Sequence, residues 1–182
     1  MILENIKSTL TSSIYPNIDD PGKYRLASVL VVIYGNEPIV VMTEKPKHMK
    51  FHAGEISFPG GKLDSDDSDL LDTALRETSE EIGLTISKEQ VVGQLEPVIT
   101  LNSGFKILPF VAIVNEIPPL SPNREVEKIF HMPLDSLLKT MAHDPDPSHN
   151  MIQEMFTFEF ENKIVWGASA RILKQIHDGL KS

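Results

Sequence analysis

GGKLDSDDSDLLDTALRETSEEIGL, residues 60–84, combines a pair of glycines with a helical pattern rich in acids. Within it Leu71, Ala74, Leu75, Thr78 and Ile82 recur at three- and four-residue steps. At about 100° of rotation per residue these positions gather into one mostly apolar stripe. Glu77, Glu80 and Glu81 fall on the neighbouring face. The spacing predicts a helix from about Ser68 to Ile82, with Asp67 or Ser68 capping the first turn and Gly83 closing the last in a left-handed conformation. Ahead of it, Gly60 and Gly61 read as a loop.

Three carboxylates at i, i+3 and i+4 repel one another, each like-charged pair costing a helix roughly 0.2–0.5 kcal/mol. Arg76 lies next to Glu77 and four residues before Glu80, so it can orient an acid, but one guanidinium cannot neutralise three. A hard divalent cation with oxygen ligands can, and Mg²⁺ (or Mn²⁺) shares such carboxylates with substrate phosphates and water. The competing reading is a solvated acidic helix face, common in an acidic chain. The capped helix and the glycines in front of it favour the cation.

Gly61 followed by Arg76-Glu77-Thr78-Ser79-Glu80-Glu81-Ile82-Gly83-Leu84 resembles the Nudix box, the signature of hydrolases of nucleoside diphosphates linked to another group. Thr78 stands where the box has an aliphatic residue. The spacer from Gly61 to Arg76 is one residue longer than the general pattern, so the upstream acid of the box falls on Asp67 or Ser68. That spacer, with Asp64, Asp67 and the run Thr73-Ala74-Leu75-Arg76-Glu77, is similar to the coenzyme A pyrophosphatase branch. So is the segment from Thr43 to Pro59, TEKPKHMKFHAGEISFP, with its His-x-Gly-Glu core. Lys45 and Lys50 replace arginines of that motif and Pro46 a small residue, which keeps charge but gives up bidentate phosphate geometry. Further similarity runs through Leu101-Asn102-Ser103-Gly104-Phe105, Glu125-Val126 and Trp166-Gly167-Ala168-Ser169-Ala170, covering about residues 25–180.

The resemblance implies an α/β fold, a Nudix-type α/β/α sandwich with a mixed β-sheet, and a single domain over residues 1–182 with an N-terminal helix at about 1–12 and the box at 61–84. It implies metal-assisted hydrolysis of a phosphoanhydride. Glu77 and Glu81 are then the expected direct metal ligands, Glu80 a third or water-mediated one, and a carbonyl of Gly60 or Gly61 a further donor, with Arg76 holding the acids. A general base must lie within reach of the attacking water. Its candidates are a box glutamate such as Glu80, Glu55, Glu125 and Glu127, the last two being equally well read as surface carboxylates. Lys45, Lys47, Lys50 and His52 form a basic cluster suited to phosphates; Lys47 and His48 are as well explained by an exposed loop. Phe105 can line a pocket or pack in a core, and Trp166 is read as core.

Composition agrees with one small enzyme. The chain has 182 residues, 41% of them hydrophobic, and no cysteine, enough for a sizeable core and incompatible with disulfides or thiolate chemistry. A formal charge of −9 argues against a nucleic-acid partner, whose phosphates need basic residues. No run approaches the roughly 20 apolar residues of a membrane span. The expected location is cytoplasmic, and the chain ends Leu180-Lys181-Ser182 rather than in a peroxisomal Ser-Lys-Leu address. The expected partner is a small CoA-like nucleotide; a homodimer is left open.

Strands are predicted at Ser28 to Ile33 and Pro38 to Met42, turning at Gly35-Asn36, at Val91 to Pro97, at Ile107 to Val114, and as a second hairpin from Met155 to Phe160 and Ile164 to Trp166. Other helices are expected at Ile2 to Leu10, Leu134 to Met141 and Ala168 to Leu180. The Pro-rich stretches 115–124 and 143–150 read as surface loops able to close over a substrate or simply connect. The functional alternatives are hydrolysis of CoA or a derivative, hydrolysis of another nucleoside diphosphate such as ADP-ribose or a dinucleotide, and a nucleotide-binding regulatory module without turnover.

Overall fold

The computed structural model describes residues 2–10, 13–48, 53–149 and 153–181. Its centre is β1 (Arg25–Tyr34), a β-branched and apolar strand. β1 turns through Gly35, whose φ of 84° suits glycine, into β2 (Ile39–Glu44). The hairpin pairs only at its turn end, Ile33 with Val40 and Tyr34 with Ile39. Beyond that the strands part, and β3 (Ile56–Ser57) adds to β2 while β4 (Gly60–Lys62) enters beside β1. The two glycines therefore lie in a short strand paired to Ser28 and Val29 rather than in a free loop.

The expected box helix is α2 (Leu70–Ile82). It starts two residues later than predicted, because Asp69 is the cap: its side chain accepts from the Asp72 N–H. Neither Asp67 nor Ser68 caps it. Gly83 closes the other end as expected, with φ 69° and its N–H on the Ser79 carbonyl. After a 3₁₀ turn at Lys88–Gln90 come β5 (Val91–Gln94), β6 (Val98–Ile99) and β7 (Phe105–Val114). The predicted strand to Pro97 thus stops at Gln94. β7 runs parallel to β1 in register from Arg25 with Phe105 to Tyr34 with Val114. β8 (Lys128–Pro133), which the sequence reading missed, pairs antiparallel with β2 and leads into a short α3 (Leu134–Leu138). β8 is only six residues long, carries two adjacent apolar residues, Ile129 and Phe130, near its start, and ends in Pro133, which demotes a run as a strand.

A second sheet holds β9 (Ala142–His143), β10 (Phe156–Phe160) and β11 (Lys163–Val165). The β10–β11 turn is where it was predicted, with positive φ at Glu161 and Asn162. α1 (Ile2–Thr9) and α4 (Gly167–Gly179) complete the chain. The N-terminal helix expected at 1–12 agrees over Ile2–Thr9; residues 1, 11 and 12 lie outside the described residues.

Alternation along the central strands gives the sheet two apolar faces. Leu30, Val32, Val41, Leu108 and Phe110 meet Leu70, Leu71, Ala74 and Ile82 of α2. Val31, Ile33, Val40, Met42 and Val111 meet Ile6, Leu134, Phe158, Ile172 and Ile176 on the other side. The result is the α/β/α sandwich with a mixed sheet. Thr78, in an aliphatic position of the box, is fully buried on this interface and satisfies its hydroxyl by donating to the Ala74 carbonyl at 2.7 Å.

Gly60 has φ 156°, and a Cβ there would lie 2.3 Å from the Ser28 carbonyl oxygen. That neighbour is backbone of the central strand and cannot yield. Gly60→Ala should lower stability by about 3 kcal/mol, measured by urea denaturation; a loss below about 0.5 kcal/mol would show that β4 is free to move off β1.

Candidate metal and diphosphate site

Arg76 organises one half of the acidic cluster. Its Nε donates to Asp67 Oδ1 at 2.8 Å and a terminal nitrogen donates to Oδ2 at 3.0 Å. The other terminal nitrogen reaches Glu77 Oε1 at 3.0 Å and Glu80 Oε2 at 3.3 Å. Asp67 also accepts from the Thr73 hydroxyl and the Asp64 N–H. So Asp67, displaced as a cap, is the acid that fixes the guanidinium, and the longer spacer still delivers a carboxylate to it. This fork holds Asp67 down at a pKa of about 2, the Arg76 hydrogen bonds being the largest cause, and pushes Arg76 further up.

Glu81 forms the other half. The three box glutamates, on the face beside the apolar stripe, differ in exposure: Glu80 is exposed, Glu77 is half-buried and Glu81 is only 2% exposed. Glu81 Oε2 accepts from the Gly60 N–H at 3.1 Å and Oε1 from Lys45 Nζ at 2.5 Å. Burial raises its pKa, opposed by the Lys45 ammonium, with the Glu125 charge adding to the rise. Burial likewise raises Glu77, opposed by Arg76. The Glu77 carboxylate lies so close over Gly61 that a Cβ there would stand 2.4 Å from Oε1. The glycine pair thus admits the acids of α2 to the sheet surface.

Among the described residues, no three or more His, Asp or Glu side chains converge on one point where a metal ion could sit. The cause is visible in the pairing: Glu77 and Glu80 turn to Arg76 and Glu81 to Lys45. In chemical type the donors nonetheless suit a hard cation, since all are oxygens.

The other candidates fall around this centre. Glu55 pairs its carbonyl with the Lys45 N–H across the end of β2. Glu125 reaches the neighbourhood of Glu81 because the segment before it caps α2: Ser121 N–H donates to the Ile82 backbone carbonyl and Asn123 N–H to the Glu81 backbone carbonyl, and the Asn123 side chain accepts from Glu125 N–H. The Pro-rich stretch 115–124 is therefore a strap over the helix end, a role that Pro118, Pro119 and Pro122 do not announce. Phe105 is half-buried with the Arg25 guanidinium 4.1 Å from its ring centre and Lys62 at 5.8 Å, so one ring face is already covered by a cation. Trp166, read as core, instead precedes α4 and stacks on His149 at 4.8 Å. Lys50 and His52 lie outside the described residues.

Sequence reasoning missed the far side of β2. Glu44 alternates with Lys45 and so points away from α2. It is buried and paired with Lys163 of β11 at 2.6 Å. Beside it opens a cavity of about 580 Å³ lined by Glu44, Lys47, His48, Glu127, Lys128 and Lys163. Lys47 and His48 thus do line a recess, and Glu127 faces it rather than Glu81. Lys128 and Lys163 come from elements 80 or more residues downstream of Glu44, with no sequence signal linking them.

The NUDIX domain profile matches residues 24–152. The chain is 35% identical over 156 residues to the uncharacterized Nudix hydrolase NudL of Yersinia pestis (strain Pestoides F), covering 84% of this chain and 78% of that protein, and equally to that of Yersinia pseudotuberculosis serotype O:1b (strain IP 31758). In fold it is similar to a MutT/nudix family protein from Enterococcus faecalis (TM-score 0.60, 16% identity), covering 90% of this chain and 63% of that one. It is also similar to a NUDIX hydrolase from Alicyclobacillus acidocaldarius (TM-score 0.52, 21% identity, 66% and 83% covered). The chain belongs to the Nudix family. Members of that family act on nucleoside diphosphates linked to a further group, generally with a divalent metal such as Mg²⁺ or Mn²⁺. No helix among the described residues is long and apolar enough to cross a membrane.

Asp67→Asn should cost about 2 kcal/mol at neutral pH, from a carboxylate whose pKa is lowered from 3.8 to about 2. Because the folded pKa is depressed, this stability is present above pH 3.8 and is lost as pH falls through about 2. Denaturation of both proteins over that range should show the gap closing; a gap independent of pH would remove Asp67 as the anchor of Arg76.

Proposed function

We propose that this protein hydrolyses the phosphoanhydride of a nucleoside diphosphate derivative, with CoA or a CoA derivative as the substrate, giving adenosine 3′,5′-bisphosphate and 4′-phosphopantetheine or its acyl form. One observation carries the reading: Lys45, from the segment resembling the CoA branch, touches Glu81, from the box, so two motifs apart in sequence make one site. The phosphate-binding side chains and the acids then serve the same diphosphate.

Four carboxylates, Asp67, Glu77, Glu80 and Glu81, meet two cations, Arg76 and Lys45, which leaves an excess of two negative charges when all are ionised. Glu77 and Glu81 would hold Mg²⁺ or Mn²⁺, with Glu80 as a third or water-mediated ligand. Gly60, whose N–H faces Glu81, is better placed than Gly61 to add its carbonyl. When bound, the ion neutralises the diphosphate and supplies Lewis acidity. Arg76 keeps Glu77 and Glu80 from drifting, an arrangement that favours hydrolysis because the ligands are positioned in advance.

Glu125 accepts the proton of the attacking water in this reading, supported by its place on the strap beside Glu81. Glu55, next to Lys45, is the second candidate. Lys45 supplies positive charge for the phosphates beside the acids, while the recess lined by Glu44, Lys47, His48, Glu127, Lys128 and Lys163 opens on the other face of β2. A volume of about 580 Å³ lies within the ~300–1,000 Å³ usual for small-molecule sites.

Incubation with CoA and Mg²⁺ should release the two products, and EDTA should stop it; intact CoA beside cleaved ADP-ribose or dinucleotide would move the substrate within the family. Glu81→Gln keeps the side-chain volume and one acceptor oxygen, enough for Lys45 or the Gly60 N–H but not both; circular dichroism checks that the fold persists, and turnover should fall below about 1%, a larger loss than the 10–100-fold of an outer-shell partner. Near-normal rates in that variant would remove Glu81 as a ligand. Glu125→Gln should lower kcat by roughly 10²- to 10⁴-fold with KM little changed; an unchanged kcat would pass the base role to Glu55.

A further inference from the structure

Both oxygens of Glu81 are committed within the protein, and the two commitments differ in kind. The Gly60 N–H belongs to β4, held against β1, and cannot leave. The Lys45 ammonium, 2.5 Å from Oε1, sits on a flexible four-carbon stem and is 18% exposed. The backbone under it is fixed on both sides, its N–H on the Glu55 carbonyl and its carbonyl on the Gly54 N–H. The side chain can therefore swing while its root stays in place. Since Glu81 itself is 2% exposed, any second cation that takes this carboxylate competes with Lys45 for Oε1.

We propose that Lys45 is a displaceable counter-ion: it holds Glu81 ordered and in place, yields that carboxylate to a divalent cation, and moves its ammonium to the substrate's phosphate. Cation and diphosphate binding are thereby coupled, because the charge released at Glu81 is the charge the phosphate receives. The inference rests on the reading of Glu81 as a metal ligand given above. Lysine suits the role because it is a compact, hydrated point charge with rotatable donors. Arginine would grip the carboxylate with a planar fork and resist displacement. Lys45 is a positioning residue for Glu81 before it becomes a binding residue for phosphate.

The test is Mn²⁺ binding to the whole protein by titration calorimetry. It is run at mildly alkaline pH, so that a proton does not replace the ammonium on Glu81. Lys45→Met should bind Mn²⁺ about tenfold more tightly than the natural protein and Lys45→Arg about tenfold more weakly. A merely structural lysine would change thermal stability in both variants without that order of affinities. In the unaltered protein, acylation of Lys45 by an amine reagent, read by mass spectrometry, should speed up on adding Mn²⁺ and slow again on adding ADP; this holds even if Lys45→Met fails to fold. Metal-dependent cleavage of CoA together with equal Mn²⁺ affinities, or with Lys45 reactivity unmoved by Mn²⁺, would overturn the counter-ion role alone. No Mn²⁺ binding and no metal-dependent cleavage would overturn it together with the proposed function.

Discussion

A carboxylate taken out of water needs both charge compensation and hydrogen-bond partners, and Glu81 is the place where this fold meets that requirement. Its partners come from three separated parts of the chain: α2 carries the acid, β4 presents the Gly60 N–H, and the end of β2 supplies Lys45. None of these contacts forms unless the β1–β2 hairpin opens to admit β4 and α2 lies on the face that Val41 and Thr43 define. Removing either partner would leave a buried group unsatisfied, so the site and the local fold are mutually dependent. Among the described residues no buried side-chain polar atom lacks a partner, and the acidic cluster reaches that state through Arg76 and Lys45.

The glycines serve this constraint by what they lack. Gly61 has no Cβ where Glu77 packs, and Gly60 none where the Ser28 carbonyl stands. The first absence lets α2 lie close on β4 and the second seats β4 against β1. The helix end is completed from outside, by backbone donors of the strap at Ser121 and Asn123. That strap in turn carries Glu125 to the acids. One structural need, satisfying the last carbonyls of a helix, thus positions a candidate base.

Two sides of β2 divide the chemistry. Lys45 looks toward the acids of α2, and its neighbour Glu44 looks into the recess held by Lys163 and Lys128. A strand's period of two separates adjacent residues onto opposite faces, so a single dipeptide serves both the diphosphate site and the cavity behind it. The Glu44–Lys163 pair also ties the small β9–β11 sheet to the main one at the edge of that cavity.

The helix of the box, its Gly83 stop and the β1–β2 and β10–β11 hairpins were all legible in the sequence, because each depends on local periodicity or on positive-φ turn positions, and the candidate acids could be named from a motif of fixed spacing. Boundaries shifted where two caps competed, as at Asp67 and Asp69, and β8 went unseen because it is short and ends in a proline. Which charges meet depended on the packing of distant segments. That Glu81 is buried against Lys45, that Phe105 is covered by Arg25, and that Lys128 and Lys163 join Glu44 at one cavity all follow from strand order and register. Contacts of that kind span distant residues, so no local pattern in the chain encodes them.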